Sequence, residues 1–337
     1  MQSMKDMPQE LVRGLIDNYR GGRSARECSD WLLERGFGGG SPKAVADWFR
    51  RHEIFKTYPD IDMKMHFAED PLQNTTAIEY VRSDAKTLLV FNDHQARYDD
   101  RWTEQAVLRF IEDFKPEALI DNGDLFDFEA ISRFPTSLVK RTSLQDDVDA
   151  GRAIIRHQRE AAGPDCEIYV TEGNHEARLS KFITANAPEL SESPGLTMED
   201  FCGFADFDAK YVHPYGNGVD WHGILVAHGN RVNAHSAGSA KAEFGDSGTS
   251  LIMGHTQRLG AYYVTDRTGT HAAFENGCMC RIDPGGAAPS MRGPRVNNWQ
   301  QGFAVGFADD YGWNIYQVSI TNHEFIWGGK RYTPTGK

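Results

Sequence analysis

Five short segments of this chain each set Asp, Asn or His just after an apolar run. They are Asp93-His94-Gln95, Gly123-Asp124-Leu125-Phe126-Asp127, Gly173-Asn174-His175-Glu176, Ala227-His228-Gly229 and Gly254-His255-Thr256-Gln257. A run such as TLLVF at 87–91 is apolar at successive positions, as in a strand buried on both faces. Carboxylate, amide and imidazole groups at the ends of buried strands are what a two-metal hydrolytic site needs. One such segment means little, since a lone Asp caps helices and a lone Asn makes turns. Five in this order form a pattern.

The order of elements around them predicts an α/β core. A strand at 87–91, a helix at 102–114, a strand at 118–120, a helix at 144–161 and a strand at 167–170 make a βαβαβ run. The last third reads as strands at 223–227, 250–253, 261–264, 271–274, 303–307 and 313–320. Before this core, residues 1–57 read as three helices. The first spans 9–19, the second is capped by Ser24, and the third opens on Ser41-Pro42, a cap and a first-turn proline. The third buries Val45, Trp48 and Phe49 and turns Lys43, Asp47, Arg50 and Arg51 outward. Residues 58–85 read as a linker and 86–337 as the main domain.

Charge divides along the same boundary. The 337-residue chain carries 36 Lys/Arg and 48 Asp/Glu, a net −12. The first 57 residues hold ten Lys/Arg and eight Asp/Glu, or +2, which leaves 26 against 40, or −14, for the rest. An acidic body argues against generic polyanion binding by the whole surface. No apolar run approaches the ~20 residues that span a bilayer, and the N-terminus lacks a secretory apolar core. A cytoplasmic protein with no membrane partner is expected. The five cysteines show no CxxC pair and read as reduced thiols.

Taken together, the five segments resemble those of the calcineurin-like metallophosphoesterases, in particular their bacterial and phage branch. The likeness spans about residues 86–327 and includes Asn276-Gly-Cys and Asn298-Trp-Gln-Gln-Gly302. The helical head resembles helix-turn-helix heads of transposase-like and phage proteins, with DNA as the implied partner. The family resemblance implies a four-layer αββα sandwich of two mixed sheets, with two divalent cations at the strand ends. It also implies in-line attack on a phosphate ester by a metal-activated water.

Two departures stand out. The first segment places Gln95, and the last places Gln257, where the family has His. An alternative register reads Asn92-Asp93-His94 and keeps His94. In the first register, residues two apart on extended chain face one side, so Asp93 with Gln95 and His255 with Gln257 are expected to form pincers. One cation then meets Asp93, Gln95, Asp124 and Gln257, and the other meets Asp124, Asn174, His228 and His255. The all-oxygen set suits Mn²⁺, with Mg²⁺, Fe²⁺ or Zn²⁺ as alternatives. By the same resemblance His175 is the general acid and Asp127 its orienting carboxylate. Arg178 and Arg258 are candidate phosphate contacts. The expected activity is hydrolysis of a phosphate ester, favouring phosphodiesters of nucleic acid. Phosphomonoesters, or phosphate binding without cleavage, are the alternatives.

Overall fold

The computed structural model describes residues 7–20, 23, 25–38, 41–51, 80–132, 143–191, 193, 195–283 and 298–335. Ser24, residues 58–79 and the side chains of Arg50 and Arg51 lie outside them, so the expectations placed there are not addressed. The chain divides into two compact units, Met1–Ala77 and Ile78–Lys337.

Among the described residues the first unit holds three helices, α1 (Gln9–Arg20), α2 (Ala25–Glu34) and α3 (Pro42–Arg51). Leu15, Cys28, Leu32, Val45, Trp48 and Phe49 form its core. The Tyr19 and Phe49 rings stack with centroids 3.8 Å apart. The Ala44 N–H donates to Ser41 Oγ (3.3 Å), so Ser41 caps α3 ahead of its first-turn proline.

The second unit starts earlier than its sequence suggests. Residues within the expected linker form β1 (Tyr80–Ser83). There follow β2 (Thr87–Phe91), α4 (Arg101–Phe114), β3 (Ala118–Asn122), α5 (Leu144–Ala162), β4 (Glu167–Thr171), α6 (Ala177–Asn186), α7 (Met198–Cys202) and β5 (Ala209–Val212). Next come β6 (Gly218–Trp221), β7 (Ile224–Val226), α8 (Gly238–Ser247), β8 (Leu251–Met253), β9 (Leu259–Thr265) and β10 (Thr270–Asn276). The last elements are β11 (Gly302–Asp309), β12 (Gly312–Ser319), β13 (Phe325–Trp327) and β14 (Lys330–Tyr332).

Among the described residues β1 to β12 form two six-stranded mixed sheets, in the orders β1-β6-β7-β8-β10-β9 and β12-β11-β2-β3-β4-β5. Strand alternation explains their packing. Leu88, Val90, Ile120 and Tyr169 point between the sheets and meet Trp221, Val226, Ile252 and Phe274. Leu89, Phe91, Leu119, Ile168 and Val170 point the other way, into a second core with residues of α4 and α5. Ala240 of α8 packs with Leu251, Met253 and Ala273 on the outer face of the other sheet. This is the expected helix–sheet–sheet–helix sandwich, with both faces of the parallel strands covered. The five cysteines are buried, and none is in a disulfide. Among the described residues no helix is long and apolar enough to cross a membrane.

Candidate metal centre

The polar segments follow the last residues of β2, β3, β4, β7 and β8. Asn122, the last residue of β3, clips the two sheets together below them. Its Nδ2 donates to the carbonyls of Ala227 (3.1 Å) and Ile252 (3.3 Å), and its Oδ1 accepts from Thr171 Oγ1 (3.0 Å). The next residue, Gly123, has φ +78°, and a Cβ there would meet His228 Nδ1 at 2.5 Å. Glycine is needed so that the β3 loop can pass the imidazole.

Among the described residues, Asp124, His228 and His255 present ligand atoms all within 4.8 Å of one another. Asp124 Oδ2 lies 3.3 Å from His228 Nε2. Asn174 Oδ1 lies 3.3 Å from the same nitrogen and 2.7 Å from His255 Nδ1. The other nitrogen of His228, Nδ1, donates to the Asn122 carbonyl at 2.8 Å. That bond orients the ring so that Nε2 faces the cluster, as a second-layer partner does for a ligating histidine. Asp93 is fully buried beside these groups. Its Oδ2 accepts from the His255 N–H (2.9 Å) and its Oδ1 from Gln257 Nε2 (3.1 Å). Two buried carboxylates, an amide oxygen and two imidazoles form a donor set that fits a divalent cation.

The charges in this cluster are strongly coupled. Burial pushes the Asp93 carboxyl up to about 7, although His228 pulls the other way. Burial also opposes the charge on Asp124, yet His175 and His228 hold its carboxyl well below the usual range. His228 is opposed by burial and pushed up to about 10 by Asp124. Burial and the nearby His228 push His255 down to about 4.

The pincers do not arise by strand alternation. Asp93, Gln95, His255 and Gln257 all have left-handed backbones, with φ of 52°, 49°, 66° and 53°. Each lies past its strand, so turns, not a pleat, aim the side chains. Gln95 is buried, and its backbone N–H donates to the Asp124 carbonyl at 2.9 Å. His94 is turned onto Asp121, with Nε2 3.0 Å from Oδ1.

His175 sits beside the cluster. Its Nδ1 is 3.0 Å from Asp127 Oδ1, and its Nε2 accepts from Arg178 Nη2 at 2.8 Å. Arg178 Nη1 donates to the Asp127 carbonyl at 2.5 Å. Arg258, expected as a phosphate contact, is buried and committed elsewhere. It pairs with Glu275 (3.2 Å) and donates to the carbonyls of Asn233 (2.8 Å) and Ala234 (3.2 Å).

Glu176 ties two of these loops together. Fully buried, it accepts the N–H groups of Gly173 (2.8 Å) and Asp124 (2.9 Å) on Oε2 and of Phe126 (2.9 Å) on Oε1. It thereby bolts the β4 loop to the β3 loop. A Cβ on Gly173 would lie 2.3 Å from the Asp124 backbone nitrogen and 2.7 Å from the Glu176 carboxylate. Only glycine allows that approach.

Residues 86–276 match the sequence profile of the family described as calcineurin-like phosphoesterase. The chain belongs to the calcineurin-like phosphoesterases. It is thus a hydrolase of phosphoester bonds. Curated relatives of this phosphoesterase include the Gene 54 proteins of two mycobacteriophages. The one from phage D29 is 29% identical over 231 residues, covering 66% of this chain and 88% of the relative. The one from phage L5 is 29% identical over 240 residues, with the same coverage. Solved structures similar to it include a Vps29 single mutant from Entamoeba histolytica, at 14% identity and TM-score 0.35, covering 73% of this chain and 98% of that one. A dimetal phosphatase from Danio rerio is 11% identical at TM-score 0.35, with 70% and 99% covered.

Proposed function

We propose that the chain is a two-metal phosphodiesterase acting on nucleic acid, in a bacterial or phage-infected cytoplasm. The observation that carries the reading is the convergence of Asp124, Asn174, His228 and His255, flanked by the buried Asp93–Gln257 pair. Asp124, Asn174, His228 and His255 would hold one cation. Asp93, Gln95, Asp124 and Gln257 would hold the other. A half-turn of the Gln257 amide exchanges its Nε2 for Oε1 beside Asp93, which gives that second set oxygen donors throughout. Bound there, divalent cations supply an activated water and neutralise charge developing at phosphorus. Oxygen donors favour Mn²⁺ over Zn²⁺.

His175 would deliver a proton to the leaving oxygen through Nε2, and Asp127 keeps its ring oriented through Nδ1. Arg178 occupies Nε2 when no substrate is present. A phosphate oxygen competes for that guanidinium, which frees Nε2 to take up a proton from water and pass it to the leaving oxygen. A diester brings one negative charge where a monoester brings two, and Arg178 offers a single guanidinium beside His175. The phage relatives and the three-helix first unit support nucleic acid as the source of the diester.

The test is hydrolysis with Mn²⁺ of bis(p-nitrophenyl) phosphate, p-nitrophenyl phosphate and single- and double-stranded DNA. The diester is expected to turn over faster than the monoester, and DNA is expected to be cut. Removing residues 1–77 should spare the small diester, weaken DNA binding and flatten its salt dependence, because fewer counterions are released. Faster cleavage of the monoester would make the protein a phosphomonoesterase. A DNA affinity and salt slope unchanged by the truncation would remove the first unit from substrate binding.

A further inference from the structure

We propose that the cleft beside His255 and Gln257 is a nucleobase subsite, with Trp299 as its stacking face. This rests on the phosphodiesterase reading and names the group held next to the reacting phosphate. The cleft has a volume of about 240 Å³ and is lined by His255, Gln257, Arg258, Val232, Asn298 and Trp299, among others. It therefore opens directly from two residues of the metal centre. It is smaller than the ~300 Å³ at which drug-sized pockets begin, so it suits one ring system and not a longer segment.

The wall that carries Trp299 is fixed to the centre. The Gln300 N–H donates to the Gln257 carbonyl at 2.9 Å, and the Leu259 N–H donates to Gln300 Oε1 at 3.2 Å. Asn298 Oδ1 accepts from Gln300 Nε2 at 2.9 Å, which ties Asn298 to the same wall. Val232, 74% exposed, adds an apolar surface on the loop after His228.

The charge of the cleft selects the ligand class. Arg258 is its one charged lining residue among those described, and that charge is matched by Glu275 at 3.2 Å. Among the described lining residues, a second phosphate or a phosphorylated peptide finds no free cation, and an amine finds no carboxylate. A neutral, planar group with hydrogen-bonding edges matches an indole face, side-chain amides and a valine. Every nucleobase has that character, and stacking on an aromatic side chain tolerates any sequence.

The test compares two diesters with the same leaving group, thymidine 5′-(p-nitrophenyl phosphate) and methyl p-nitrophenyl phosphate. The wild type should prefer the thymidine ester in kcat/KM. Trp299→Ala should lower that preference by about 5- to 150-fold, the range for losing one base–aromatic stack, chiefly through KM. Trp299→Phe should retain most of it. Calorimetry with thymidine 5′-monophosphate reads the cleft without turnover, and Trp299→Ala should weaken that binding by a similar factor. An equal preference and equal thymidine 5′-monophosphate affinity in wild type and Trp299→Ala would overturn the subsite. Failure of the wild type to cleave either ester, with thymidine 5′-monophosphate binding still dependent on Trp299, would overturn the phosphodiesterase reading alone.

Discussion

His175→Asn is expected to lower turnover by a factor on the order of 10²–10⁴, the usual cost of losing a positioned acid. The fold and the bound metal should survive. One link from this residue to Asp124 runs through the backbone, whose His175 N–H donates to Asp124 Oδ1 at 2.9 Å, and asparagine keeps it. What disappears is the ring between Asp127 and Arg178. The loss should shrink for esters with acidic leaving groups, which need less protonation. A series of aryl diesters measures this directly. An equal loss across the series would show that the ring positions the substrate and donates no proton to it.

Glu176→Ala is expected to be the most destabilising single change in the site. It orphans the N–H groups of Gly173, Asp124 and Phe126, all inside the protein. Each unsatisfied buried donor costs roughly 1–3 kcal/mol, so the total is on the order of 3–5 kcal/mol once some water enters. For a domain of this size that is a fall in Tm of about 10 °C. Metal affinity should fall with it, because the β3 and β4 loops lose their common anchor. Glu176→Gln keeps one acceptor oxygen and turns an amide N–H₂ toward a donor, so it should fall between the two. Thermal melts and Mn²⁺ binding of the three proteins decide the matter. A Tm for Glu176→Ala equal to that of the wild type would remove the carboxylate from its anchoring role.

The strands that frame the centre were legible because burial on both faces leaves a plain mark. TLLVF of β2 and the apolar starts of β3 and β4 have no other reading, and each hands over at once to a polar segment. The short edge strand β1 lies in the stretch that reads as linker. Its exposed Tyr80, Val81 and Arg82 carry no alternation, and pairing with β6, far along the chain, makes it a strand. The small-residue helix α8, GSAKAEFGDS, lacks a marked apolar stripe. The same limit applied at the site. Residue types and order in the five segments pointed to a common cluster, but the left-handed turns at Asp93, Gln95, His255 and Gln257 have no signature in those residue types. Arg258 looked free because its partner, Glu275, is on another strand. Glu176 and Asn122 act by bridging loops or sheets, so their reach depends on contacts about 50 to 130 residues away in sequence.

Metal dependence tests the central claim most directly. The protein is stripped with a chelator and titrated with Mn²⁺, and bound metal per chain is followed alongside hydrolysis of bis(p-nitrophenyl) phosphate. The account predicts no hydrolysis by the stripped protein and two Mn²⁺ per chain. The first should bind more tightly, at the set with two imidazoles. The second should bind more weakly, where Gln95 and Gln257 bring neutral amides, and activity should rise with it. Full activity at one equivalent, or hydrolysis that persists without metal, would contradict the two-metal centre.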